Sequence, residues 1–344
     1  MDKKMPISSK IAFSRRICSN RNMQEIPLGW SRKKVRDVFS TFTAALTALV
    51  LMLQPVHPPL LLAGENPGES RVAVTLLPGV SGVAEATSDD GMFWVGVQMD
   101  IREDWHVYWR NPGDSGLPTT IRWDEHPFLE PGEIHWPAPD RFDEDGITTY
   151  GYSDQVTLLV PFRVRQKAAD THGQSGSAGA KPGAISADMN WLVCKDICIP
   201  ESTRIVLSIN ASGQFEGYGP DFAERIEESL DRVPKSVDDW AARAELAEDR
   251  FKIILTPRTD KAVVPDTGDI YFYPNIQGLI EHTAPQKAVV RDDRLVLVIP
   301  VSRYLRSRPD EITGVFSTGE SWLRDRRVPN MELTLSVSGS PHDK

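Results

Sequence analysis

The stretch MNWLVCKDICIPEST, residues 189–203, holds two of the three cysteines in the chain, Cys194 and Cys198. Its flanks read as strands: MNWLVC arrives and STRIVLSI leaves. Four steps along an extended strand cover about 13 Å. A disulfide needs its Cα atoms about 4.4–6.8 Å apart. If the two thiols bond, Lys195-Asp196-Ile197 must be the turn of a hairpin with the cysteines at its tip. A staple, a redox couple and a metal site are all open to such a pair. A ring this small constrains little chain, so its entropic gain is modest. A tight ring is also the more reducible kind. Both arguments favour redox over structure. Lys195 would stabilise a thiolate and Asp196 would oppose it.

The compartment bears on that choice. Residues 31–36 read SRKKVR, and residues 39–53 read FSTFTAALTALVLML without a charge. A basic flank before a short apolar run is the pattern of a secretory signal, with cleavage expected near Ala63. The run falls short of the roughly 20 residues that span a bilayer, and Pro55, Pro58 and Pro59 interrupt any continuation into PLLLAG. A retained membrane anchor is the alternative. Export removes Cys18 with the leader and places Cys194 and Cys198 where a disulfide persists, in a periplasmic setting.

With 344 residues, 40% hydrophobic and 25% charged, the chain can build about two globular domains. A net charge of −9, with no long basic run beyond the N-terminus, argues against nucleic-acid binding. From about residue 71 short apolar and β-branched runs alternate with turn-rich text: MFWVGVQMDI, HVYWR, VTLLVPFRV, ADMNWLVC. That spacing predicts an antiparallel sandwich. THGQSGSAGAKPGA, 171–184, reads as a loop between two of its strands. The acidic, amphipathic text at 213–247 predicts a helical linker divided by Pro234. Strand text then resumes, with AVV-RDD-RLVLVI (288–299) a strong hairpin signal. The expected fold class is all-β: an immunoglobulin-like β-sandwich followed by a second β-rich domain, with a short helical linker between. The expected boundaries are a leader over 1–63, the sandwich over 70–212, the linker over 213–247 and the second β-domain over 248–340.

LVCKDICIPESTRIVLSI resembles the N-terminal periplasmic domain of the DsbD-type thiol:disulfide interchange proteins, on the ScsB-like branch. Cys194, Cys198, Pro200, Glu201 and Thr203 follow in the family's order. DRFDEDGITTYGYSDQVTLLVPF and DWHVYWRNPGDSGLPTTIRW resemble two further segments of it, so the resemblance spans about residues 95–210. It implies an immunoglobulin-like fold and reversible disulfide exchange. Cys198 would form the mixed disulfide and Cys194 would resolve it. The aromatic cap that shields the pair in the family falls at Tyr150, Gly151 and Tyr152. His106 and Tyr108 would lie near that cap, and the acidic run Asp143-Glu144-Asp145 beside it offers a carboxylate for proton relay.

The family's usual spacer between the cysteines is longer, and Thr149 or Tyr150 stands where its cap has phenylalanine. Within these residues no multi-span segment follows the sandwich. The expected electron source is therefore a separate membrane transporter of the DsbD or CcdA type. Expected recipients are periplasmic thioredoxin-like proteins or disulfide isomerases, cytochrome c maturation factors, or copper-stress proteins. No cofactor is implied. The competing class is a non-enzymatic sandwich with a structural disulfide that docks a partner or binds copper. Cu(I) prefers such soft ligands, yet no histidine lies beside the pair in sequence and there is no Cys-x-x-Cys, so no metal ligand set is expected.

Overall fold

The computed structural model describes residues 70–88, 91–165 and 183–339. The expected leader over 1–63 lies outside them. So does the loop read at 171–184, except for its last two residues, which open a strand. Among the described residues no helix is long and apolar enough to cross a membrane.

The first part is a sandwich of two antiparallel sheets. One sheet contains β1 (Val72–Pro78), β2 (Met92–Ile101), β5 (Leu129–Pro131) and β8 (Gln155–Val164), in the order β1-β2-β8-β5. The other runs β10-β9-β3-β7-β6, with β3 at His106–Gly113, β6 at Asp140–Glu144, β7 at Ile147–Ser153, β9 at Gly183–Cys194 and β10 at Cys198–Ile209. β4 (Thr120–Trp123) also pairs with β9. Side chains of a strand alternate between its faces. The inner faces accordingly bury Val97, Met99, Val107, Trp109, Tyr150, Tyr152, Leu158, Met189 and Val193 in one cluster. Asp145-Gly146, both at positive φ, make the tight turn between β6 and β7.

The segment expected as a linker over 213–247 holds one helix, Phe222–Arg232, whose Ile226 packs with Leu77 and Leu159. Its last eight residues are not linker. Trp240–Ala247 is strand β11, paired antiparallel with β12 (Arg250–Pro257) and parallel with β17 (Asn330–Ser338). Alanine-rich WAARAELA looks helical in isolation, but Trp240, Ala244 and Leu246 are buried at even spacing, and pairing on both sides outweighs helix propensity. The seven-stranded sheet runs β13-β16-β17-β11-β12-β15-β14, with β13 at Tyr271–Pro274, β14 at Lys287–Arg291, β15 at Arg294–Pro300 and β16 at Glu311–Ser317. The RDD text makes a two-residue turn in it. Arg291 pairs with Arg294, and Asp292 and Asp293 sit at φ 50° and 58°, the left-handed pair a two-residue hairpin of this type requires.

This sheet is packed onto the sandwich. Tyr273 and Val315 belong to the same buried cluster as Trp109 and Tyr150. Arg110 pairs with Glu332, and the Arg141 guanidinium lies 4.9 Å above the Tyr271 ring.

Candidate thiol site

Cys194 ends β9 and Cys198 starts β10. They are register partners across the hairpin, bonded to each other, with Cα atoms 4.2 Å apart. That is near the spacing of a directly opposed, non-hydrogen-bonded antiparallel pair, about 4.5 Å. The turn is closed by the Lys195 N–H, which donates to Ile197 O at 3.2 Å. Lys195 also reaches Asp104 at 3.0 Å, so its charge is partly spent on a carboxylate rather than wholly on sulfur. The two cysteines differ in access: Cys194 is buried, 2% exposed, whereas Cys198 is exposed.

Register fixes what surrounds them. Cys194 lies opposite His106, and His106 opposite Ser153, so these residues share one sheet face. Tyr108, two residues on, shares it too. Its hydroxyl donates to Cys194 Sγ at 2.9 Å and stands 3.4 Å from Cys198 Sγ. His106 meets the Tyr108 ring edge-on at 5.3 Å and stacks on Phe142 of β6 at 4.8 Å. Burial lowers the His106 pKa, against a smaller upward pull from the Glu144 charge, so its ring is held neutral at pH 7. Burial, then Glu144, raises the Tyr108 phenol, which therefore stays a donor.

The three expected cap residues divide between faces. Gly151 lies opposite Tyr108 on the cysteine face, where a Cβ would fall 2.0 Å from Val107 O. Tyr150 and Tyr152 point the other way, into the core. Tyr150 bonds the Tyr271 hydroxyl and His282 Nδ1, each at 2.8 Å, and Tyr152 donates to Pro137 O at 2.8 Å. Alternation with a period of two makes this unavoidable: a Tyr-Gly-Tyr run cannot present both rings to the face of its glycine. The aromatic that β6 adds to the cysteine face is Phe142, opposite Thr149 in the β6–β7 hairpin. Asp-Gly at 145–146 is the sequence signal that could have found it, because that turn sets the hairpin register. Of the acidic run, Asp143 is held by the Thr148 hydroxyl and Arg141, which leaves Glu144 as the carboxylate whose charge acts on both His106 and Tyr108. Among the described residues no group of three or more His, Cys, Asp or Glu is gathered as a cation site.

The arrangement offers one accessible sulfur, one buried sulfur with a hydrogen-bond donor on it, and a neutral imidazole beside the donor. That is the equipment of disulfide exchange, in which a thiolate attacks one sulfur and the other departs as a thiolate.

The family model for the N-terminal part of the thiol:disulfide interchange protein DsbD matches residues 73–210. No curated protein matches the sequence. Among solved structures, the N-terminal periplasmic domain of ScsB from Proteus mirabilis superposes with a TM-score of 0.54 over 80% of this chain and 96% of that one, at 17% identity, which shows a shared fold across both β-regions. Domains 5–6 of the S-layer protein SbsC cover 78% of this chain and 99% of theirs at 8% identity, but a TM-score of 0.18 carries no argument. Residues 73–210 therefore form a DsbD-type N-terminal domain, with the Cys194–Cys198 disulfide at the tip of its β9–β10 hairpin.

Proposed function

We propose that this protein is a periplasmic thiol:disulfide interchange protein that passes reducing equivalents through the Cys194–Cys198 couple. The electrons come from a membrane transporter of the DsbD or CcdA type and go to periplasmic thioredoxin-like proteins or disulfide isomerases. The observation that carries the reading is the asymmetry of the pair: exposed Cys198, and buried Cys194 under the Tyr108 hydroxyl. The ScsB domain it resembles in fold is described as periplasmic, which supports the compartment.

In the receiving half-reaction a donor thiolate attacks Cys198 Sγ. The Cys194–Cys198 bond breaks, a donor–Cys198 disulfide forms, and Cys194 leaves as a thiolate that the Tyr108 O–H stabilises. A second donor thiol, as its thiolate, attacks the donor sulfur of that mixed disulfide and releases the Cys198 thiolate. The donor ends as a disulfide, and this chain holds two electrons as a dithiol after proton uptake. Delivery runs in reverse: the Cys198 thiolate attacks a recipient disulfide, and Cys194 then attacks Cys198 Sγ to free the recipient as a dithiol. Glu144, whose charge acts on both His106 and Tyr108, is the candidate carboxylate for proton movement.

A purely structural staple is the weaker reading. A loop this short is worth about 2 kcal/mol, against about 3 for a 15-residue loop, and a staple has no use for a donor placed on one sulfur. The test is to replace Cys194 with serine in the full chain and collect mixed disulfides formed in the periplasm. Thiol proteins should be trapped on Cys198, and the reciprocal Cys198→Ser should trap few. Equal trapping, or none from either variant, would sink the proposal.

A further inference from the structure

On the exchange reading above, the C-terminal sheet has a task at the thiol site. β3 carries His106 and Tyr108 to the cysteines and then ends in the corner Asn111-Pro112-Gly113. The register between β3 and β7 breaks between Tyr108 and Gly113, so the strand ladder does not hold this corner continuously. Asn111 is 1% exposed, and its side chain is fully engaged. Nδ2 donates to Pro274 O at 2.7 Å and to Ile276 O at 3.2 Å, at and just beyond the end of β13. Oδ1 accepts the Gly113 N–H at 3.1 Å. Gln277 Nε2 adds a bond to Gly113 O at 3.3 Å.

Past the corner the chain turns back over the cysteine face. The Asp114 N–H donates to Thr148 O at 2.9 Å. Gly116 follows at φ +108° and lies flat on the Tyr108 ring, where a Cβ would stand 2.4 Å from a ring carbon. Tyr108 is therefore clamped between its own strand and a loop whose base is gripped by residues 274–277. The sandwich holds the loop at Asp114, whose Oδ2 also accepts the Thr148 N–H at 2.9 Å, while Asn111 and Gln277 tie its base to the C-terminal backbone.

We propose that Asn111 is a positioning residue for the exchange reaction: it anchors the 111–116 loop to the C-terminal sheet and so holds the Tyr108 hydroxyl on the Cys194 sulfur. The C-terminal sheet then tunes the couple without touching either cysteine. A donor on a thiolate favours the reduced pair, because hydrogen bonds to a charged acceptor are the stronger kind. A displaced phenol should leave the disulfide favoured.

The experiment uses the full chain equilibrated with a glutathione redox buffer, in four forms: wild type, Tyr108→Phe, Asn111→Ala and the double variant. Tyr108→Phe should move the equilibrium toward the disulfide by about tenfold, the size expected for a lost hydrogen bond to a charged group. Asn111→Ala should move it the same way by about threefold or more, and should add nothing on the Tyr108→Phe background, since both act through one hydroxyl. A folded Asn111→Ala with the wild-type equilibrium, or an undiminished extra shift in the double variant, would overturn the proposal. Should Asn111→Ala fail to fold, Gln277→Ala decides. It removes only the bond to Gly113 O and should shift the equilibrium in the same direction by a smaller factor; no shift counts against the proposal. An unmoved Tyr108→Phe overturns it as well, while the Cys194→Ser trap reports on exchange itself.

Discussion

Strands β3 and β7 each present two faces, and the same residue types do different work on them. Inward, Val107, Trp109, Tyr150 and Tyr152 fill the core between the sheets. Outward, His106, Tyr108 and Gly151 stand beside the cysteines. Tyr108 and Tyr150 are almost equally buried, at 2% and 0% exposure. Burial therefore does not separate a site residue from a core residue. The partner of the hydroxyl does: sulfur for Tyr108, but His282 and Tyr271 for Tyr150. One face holds the fold together, and the other is arranged around a bond that can open.

The sharpest way to break this division is from the core side. Trp109 is fully buried, and truncation to alanine should cost about 3–5 kcal/mol of stability, read as a fall in the urea midpoint. The Cys194–Cys198 equilibrium with glutathione should stay as in wild type wherever the variant is folded. A redox shift as large as that of Tyr108→Phe would show that the faces are not independent. Gly151 tests the seam between them. In Gly151→Ala the new methyl would meet backbone, Val107 O at 2.0 Å, and no side chain can yield. We expect a loss of about 3 kcal/mol together with a redox shift, because Gly151 lies opposite Tyr108.

Tyr150→Phe should be gentler. The ring stays, but His282 Nδ1 and the Tyr271 hydroxyl lose a buried partner, at a cost of about 1–3 kcal/mol. Its contrast with Tyr108→Phe is the informative part: one phenol should register in the melt and the other in the thiol equilibrium. If Tyr150→Phe moves the equilibrium as well, the core face also reaches the sulfurs.

Much of the outward face was legible in the sequence. Two strand-like runs about a Cys-x-x-x-Cys imply a hairpin, and HVYWR beside it supplies His106 and Tyr108. Of the expected cap, Gly151 faces the cysteines while Tyr150 and Tyr152 face the core, a split that follows from the two-residue period of the strand. WAARAELA is misleading in isolation. Its alanines favour a helix locally, and only the partners β12 and β17 make it a strand. The contacts of Asn111 with Pro274 and of Tyr150 with His282 had no sequence signal. They join residues 163 and 132 positions apart, and single buried polar residues carry no periodicity that would reveal them.

The smallest expected effect is a dependence of stability on pH that both faces share. His106 on the cysteine face and His282 behind Tyr150 are held neutral mainly by burial, which lowers both pKa values below the ordinary 6.5. Unfolding exposes them and lets them bind protons near 6.5. The unfolded chain thus holds more protons than the folded one in that window, so stability is full above about pH 6.5 and declines as pH falls toward the folded values. Burial also raises the Asp140 carboxyl, which opposes the trend only at lower pH, where that group titrates. Urea midpoints taken between pH 7.5 and 5 should therefore fall. His106→Gln and His282→Gln should each flatten part of the decline, and only His106→Gln should also alter the pH profile of thiol exchange, since His106 alone packs against the Tyr108 ring. A flat midpoint across that range, or an exchange profile changed equally by both variants, would erase the distinction between the two faces.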